Sequence, residues 1–173
     1  MRIAVVATPQ ARPYGIVATP SGDAWAVLFG VAKLAHVARA DLAVREVDLP
    51  RPLARPRRLG LEASGAVWYV DFAQGFVGRH DPATGATREW PAPSKPSAPY
   101  AMAMDSKGQP WLFETAPRPN LLWRVDVATG SFVDKTPVPG GGGVVRHMTF
   151  EPRCHCLWFG TDRNTLGRAD LPK

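Results

Sequence analysis

Three observations predict an all-β chain built as a β-propeller of four four-stranded blades. Trp25, Trp68, Trp111 and Trp158 recur 43, 43 and 47 residues apart. Turn formers are dense, with 16 Gly and 18 Pro, and no stretch beyond Gly30 to Arg39 sustains a helical period. A self-similar unit of about 43 residues holding four short strands has the length and content of a propeller blade. The units fall at approximately 10–50, 51–93, 94–139 and 140–173, with a strand over 1–9, in a single domain spanning 1–173.

Met1 to Pro9 alternates like a lone strand, and its equivalents are the outermost strands AVREVDLP, ATREWPAP and SFVDKTPVP. The last unit stops at LGRADLPK without such a strand. The N-terminal strand is therefore expected to complete the last blade, which removes two open sheet edges at once. Unit one continues through PYGIVATP, the Ser21-Gly22 turn, DAWAVLF and KLAHVAR. VAKLAHVARA has a local helical look, but its place in the repeat matches FVGRHD and LLWRVD, so it reads as a strand. Units two and three carry DPATG and DVATG between their last two strands, with Asp81 and Asp126 opening each turn. Large aromatics at one place per unit read as packing between neighbouring sheets.

The net charge is +6, yet the arginines are spread over every unit and no aromatic-basic nucleic-acid module is present. The densest run, Arg51 to Arg58, falls in a connection between units. Neither nucleic acid nor a membrane is the expected partner; a small molecule or cyclic peptide is, with the protein a monomer or a homodimer. No run is long enough to span a bilayer, and the apolar part of MRIAVVATP is too short for a signal peptide, which places the chain in the cytoplasm. Cys154 and Cys156 flank His155; a bond between them would need a strained short loop, so they read as free thiols.

Superimposing the units on their tryptophans aligns Tyr14, Arg57, Tyr100 and His147, each eleven residues before its Trp. Leu28, Asp71 and Glu114 align three residues after it, and Asp162 four after. In a propeller these two places lie at one mouth of the central channel. His147 and Asp162 are equidistant from a point between Cys154 and His155, so a hairpin centred there sets imidazole against carboxylate. Such a pair holds one tautomer and serves as a general base or acid near neutral pH. Glu114 and Asp162, from adjacent units, can together bind a hard cation such as Mg²⁺. Ion pairs with Arg57, Arg58 or Arg146 are the competing use of the same carboxylates.

PYGI at Pro13 to Ile16, WYVD and WLFE, GRHD and GRAD, and the closing WFGTDRNTLGRA together resemble the virginiamycin B lyase, or streptogramin B lyase, family. The resemblance covers essentially the whole chain. It implies Mg²⁺-dependent elimination that opens a cyclic depsipeptide antibiotic at its ester bond, an antibiotic-resistance activity. It further implies His147 as the catalytic histidine and Asp162 at the place of a catalytic, metal-associated glutamate. Glu114 joins Asp162 as the expected metal ligands, while Tyr14, Arg57 and Tyr100 line the substrate site. Two departures stand out: Tyr100 occupies the place of a second histidine, and Asp162 is one methylene shorter than the family's glutamate. Complete relatives form seven-bladed rings, so four units leave three arrangements: a compact ring, a half that pairs with another copy, or part of a longer propeller. The alternative function is a non-catalytic propeller that binds a peptide or small ligand at the same mouth.

Overall fold

The second strand of each unit is apolar on both faces, as in VWYV and PWLF, because it is buried between neighbouring sheets; the outer strands VREVD and TREWP alternate. The computed structural model describes residues 1–172 and contains four antiparallel sheets in chain order. Blade 1 is β1 (Pro13–Ala18), β2 (Ala24–Leu28), β3 (Lys33–Val37) and β4 (Val44–Asp48). Blade 2 is β5 (Pro56–Leu61), β6 (Val67–Asp71), β7 (Phe76–His80) and β8 (Thr87–Pro91). Blade 3 is β9 (Pro99–Met104), β10 (Pro110–Glu114), β11 (Leu121–Val125) and β12 (Phe132–Pro137). Blade 4 has three strands, β13 (Met148–Glu151), β14 (Cys156–Gly160) and β15 (Leu166–Asp170). The segment with the helical look is indeed strand β3.

The repeated tryptophan seals each blade against the next. Trp25 and Val27 pack with Leu59 and Tyr69 of blade 2, and Trp68 and Val70 with Met102 and Leu112 of blade 3. Trp111 and Phe113 then meet Met148, Leu157 and Phe159 of blade 4. Each such indole is at most 2% exposed, and truncating one costs about 3–5 kcal/mol. The indole N–H is satisfied from the same unit: Trp68 donates to Glu62, and Trp111 donates to Asp105 at 2.9 Å. Trp158 faces the same way with no blade beyond it and is 44% exposed. At the other end Ile16, the equivalent of Leu59 and Met102, is 67% exposed. The described residues thus form an open arc in which β1 packs on β5, β5 on β9 and β9 on β13.

The expected closure by the N-terminal segment is not what forms. Residues 1–12 hold no strand, and they lie on blade 1 at the far end of the arc from β15. Val6 packs beside Leu28, Ala35 and Val44, while Thr8 donates its N–H, at 2.9 Å, and its hydroxyl to the Glu46 carboxylate. Those charge-assisted bonds, with Lys33 Nζ on the same carboxylate at 3.0 Å, fix the segment where apolar surface is locally available. Strand β15 stays an edge, carrying Arg168 and Asp170.

The turns follow their sequence signals. Asp81 accepts from Ala83 N at 2.9 Å, and Asp126 accepts from Ala128 N and Thr129 N. Gly78 is obligatory, since a Cβ there would overlap the Tyr69 ring lying across it on the neighbouring strand. Cys154 and Cys156 are joined in a disulfide, not free. They are not alternate residues of one strand: Cys156 opens β14, whereas Cys154 lies in a turn where His155 takes φ 49°, bringing the two Cα atoms to 5.3 Å.

Candidate functional site at the channel mouth

The starts of the inner strands meet at one end of the arc, and their side chains tie non-adjacent blades together. Tyr14 Oη and Tyr100 Oη lie 2.9 Å apart, a hydrogen bond from blade 1 to blade 3 that spans blade 2. Arg57 of blade 2 stands in an aromatic cage. Its guanidinium carbon is 3.8 Å from the Phe29 ring centre, 4.6 Å from Phe72, 5.1 Å from Tyr100 and 5.9 Å from Tyr14. Arg58 lies 4.7 Å from the Tyr14 ring centre and donates from Nε to the Arg146 carbonyl at 3.0 Å. Tyr14, Arg57 and Tyr100 are therefore brought together as the superposition requires.

His147 is exposed at the same end, immediately before β13. Partial desolvation of its ring lowers its pKa below the usual 6.5, and the nearby Arg58 charge lowers it further. Burial likewise depresses Arg57 and raises Tyr100, the latter helped by the hydrogen bond to Tyr14. An imidazole so placed is shifted toward its neutral form, the form that carries a lone pair. His147 and Asp162 line one open groove of about 530 Å³ on the free face of blade 4, with Arg146, Trp158, Thr161 and Leu166.

They do not form a bonded pair. In the β13–β14 hairpin Met148 faces Phe159 and Glu151 faces Cys156, so the turn is centred one residue earlier than the symmetry of His147 and Asp162 requires. That register, continued, sets Gly160 rather than Asp162 opposite His147, and Asp162 turns to other partners. Its Oδ1 accepts from Val144 N at 2.8 Å and its Oδ2 lies 3.6 Å from Arg146 Nη1.

That cap belongs to a repeated pattern. Asp71 accepts from Arg55 N at 2.8 Å, and Glu114 accepts from Ser94 N at 2.9 Å. In three blades, then, an acid that ends the second strand, or in blade 4 follows it by two residues, fastens the connection leading into its own blade. Glu114 also accepts from Ser94 Oγ at 2.6 Å and Trp123 Nε1 at 2.8 Å, and it is fully buried. With both oxygens occupied behind the mouth, Glu114 does not join Asp162 as a ligand pair. No group of three metal-ligating side chains occurs among the described residues. The residues present do not fit the magnesium site that the two carboxylates were expected to make.

The basic run divides. Arg51 pairs with Glu89 at 3.0 Å and lies 3.3 Å from the Phe76 ring centre, Arg55 donates to the Ala54 carbonyl at 2.8 Å, and Arg57 and Arg58 reach the mouth. Phe29 and Phe72, which complete the Arg57 cage, are absent from the sequence reading. Both stand four residues after their Trp, in the column that holds Asp162 in the last unit, so the same superposition carried one place further would have found them.

No curated protein matches the chain in sequence. Among solved structures, a catalytically inactive virginiamycin B lyase from Staphylococcus aureus with quinupristin is similar, at 22% identity and TM-score 0.83 over 94% of this chain and 54% of that one. A streptogramin B lyase structure aligns at 21% identity and TM-score 0.78, covering 98% and 58% respectively. Kuenenia stuttgartiensis hydrazine synthase aligns at 15% identity and TM-score 0.80, covering 98% and 49%. These likenesses establish the propeller fold, and the chain spans about half the length of each. No helix is long and apolar enough to cross a membrane among the described residues. Residues 1–172 match the Virginiamycin B lyase family, and the chain belongs to that family.

Proposed function

We propose that the protein opens a cyclic depsipeptide of the streptogramin B class at its ester bond by carbon–oxygen elimination, with His147 as the general base. The observation that carries the reading is an imidazole lining an open groove beside the Arg58–Arg146 contact at the channel mouth, in a chain of this family, with partial desolvation and then the Arg58 charge favouring its neutral form. The imidazole takes the proton α to a carbonyl. The C–H electron pair becomes a carbon–carbon double bond, the C–O bond breaks, and the ester carboxylate leaves with that bond's electrons. The imidazolium then returns its proton to solvent. Asp162 acts at one remove, holding Val144 and Arg146 in the connection that presents His147. Tyr14, Arg57 and Tyr100 shape the floor against which the macrocycle rests.

Incubation with quinupristin followed by mass spectrometry tests this. Ring opening with unchanged mass is expected, and His147→Ala is expected to lower the rate by about a hundredfold or more. A product heavier by one water would mean hydrolysis and overturn the proposal. Intact antibiotic that nevertheless binds would favour a propeller that only holds its ligand.

A further inference from the structure

The mouth concentrates positive charge without an acidic counterpart. Arg57 and Arg58 are adjacent in sequence, and neither has a carboxylate within ion-pair distance among the described residues; of the acids at this end, Asp71 and Glu114 cap backbone N–H groups and Asp162 faces Arg146. Arg57 Nε is buried with no hydrogen-bond partner. The Phe29 and Phe72 rings beside the Arg57 guanidinium offer it no acceptor oxygen, which leaves N–H donors of the kind that receive a carboxylate. Two phenolic hydroxyls, Tyr14 and Tyr100, meet beside it; one proton is held in their mutual hydrogen bond, which leaves the other free to turn outward. A caged Arg57, the adjacent Arg58, paired hydroxyls and no ion-paired carboxylate make a built anion site.

We infer that this cluster is a carboxylate-binding site, with Arg58 and Arg57 as the cationic contacts and the Tyr14–Tyr100 pair as the hydroxyl donor. The site takes a monocarboxylate carried on an aromatic or otherwise apolar body, since Phe29, Phe72 and the tyrosines surround it. In naming the occupant as the carboxylate that an ester elimination releases, the inference rests on the proposed function; the anion site itself does not. Within that reaction the arginines neutralise the charge developing on the leaving oxygen, the part that the buried Glu114 and the engaged Asp162 leave no metal site to play.

The test is calorimetric titration of the whole chain with N-acetylphenylalanine at pH 7.5 and, separately, with its neutral amide. The acid is expected to bind at least tenfold more tightly than the amide. Arg58→Gln should weaken acid binding about tenfold at unchanged melting temperature, and Tyr100→Phe, which deletes only a hydroxyl, should weaken it severalfold. Inorganic phosphate is the second arm: competition at the same concentration as the acid would mean that the site reads charge alone, and would overturn the carboxylate assignment. Equal binding of acid and amide, or an indifferent Arg58→Gln, would overturn the site altogether. Failure to open quinupristin with acid binding intact would sink the proposed reaction and leave this site standing; ring opening without acid preference would do the reverse.

Discussion

Replacing Glu114 with alanine separates the two roles open to that carboxylate. Glu114 is fully buried and receives three hydrogen bonds, from Ser94 N, Ser94 Oγ and Trp123 Nε1 at 2.9, 2.6 and 2.8 Å. Alanine orphans all three donors, at about 1–3 kcal/mol each when no water replaces the acceptor. The space left by the side chain admits some water, so the net loss is about 3–5 kcal/mol. For a chain of this size, 1 kcal/mol moves the melting temperature by roughly 2–4 °C, which predicts a fall of about 6–20 °C. Thermal unfolding followed by circular dichroism in chelator measures it. Ser94→Ala, which loses one of the three bonds, should cost about 1 kcal/mol, and the double variant should fall short of the sum because the two residues share that bond. If Glu114 were instead a vacant metal ligand, removing it would leave the metal-free protein as stable as before. A melting temperature within 2 °C of wild type would therefore refute the capping argument.

Other consequences are read just as directly. Trp111→Ala should cost about 3–5 kcal/mol, whereas Trp158→Ala, already 44% exposed, should cost less than half as much, measured by urea unfolding. Gly78→Ala should lower stability by more than 1 kcal/mol in the same assay, because its Cβ would displace the Tyr69 ring. The Glu62 carboxyl is held down to about 2, first by its hydrogen bonds from Arg79 and then by those from Ser64 and Trp68. A depressed acid contributes stability above its unfolded value near 4.5 and loses it as pH falls toward 2. Glu62→Gln should accordingly flatten the acid limb of the stability profile between those values; an unchanged limb would assign the acid sensitivity elsewhere.

The blade order, the strand identity of Lys33–Val37 and the tryptophan seams were legible because each recurs: a residue type at a fixed place in four units is a statement about packing. The same repetition placed Tyr14, Arg57 and Tyr100 together. What escaped depended on where the last hairpin turns and on competition among polar partners. The β13–β14 turn is centred one residue from where the His147–Asp162 symmetry puts it, which is enough to give Asp162 to Val144 and Arg146. The acids at the ends of the second strands looked like ligands by residue type, and only the backbone N–H groups facing them reveal caps. Residues 1–9 read as a strand from their alternation, but alternation does not say which edge a segment joins; Thr8 on Glu46 decided that.

The account turns on His147 being a free imidazole tuned by Arg58, not one half of a histidine–carboxylate pair. Nuclear magnetic resonance titration of the His147 ring protons, in wild type and Arg58→Gln, measures this most directly. The prediction is a midpoint below 6.5 in wild type that rises when the Arg58 charge is removed. A midpoint above 6.5, falling on Asp162→Asn, would show the imidazole leaning on the carboxylate and would contradict the site described.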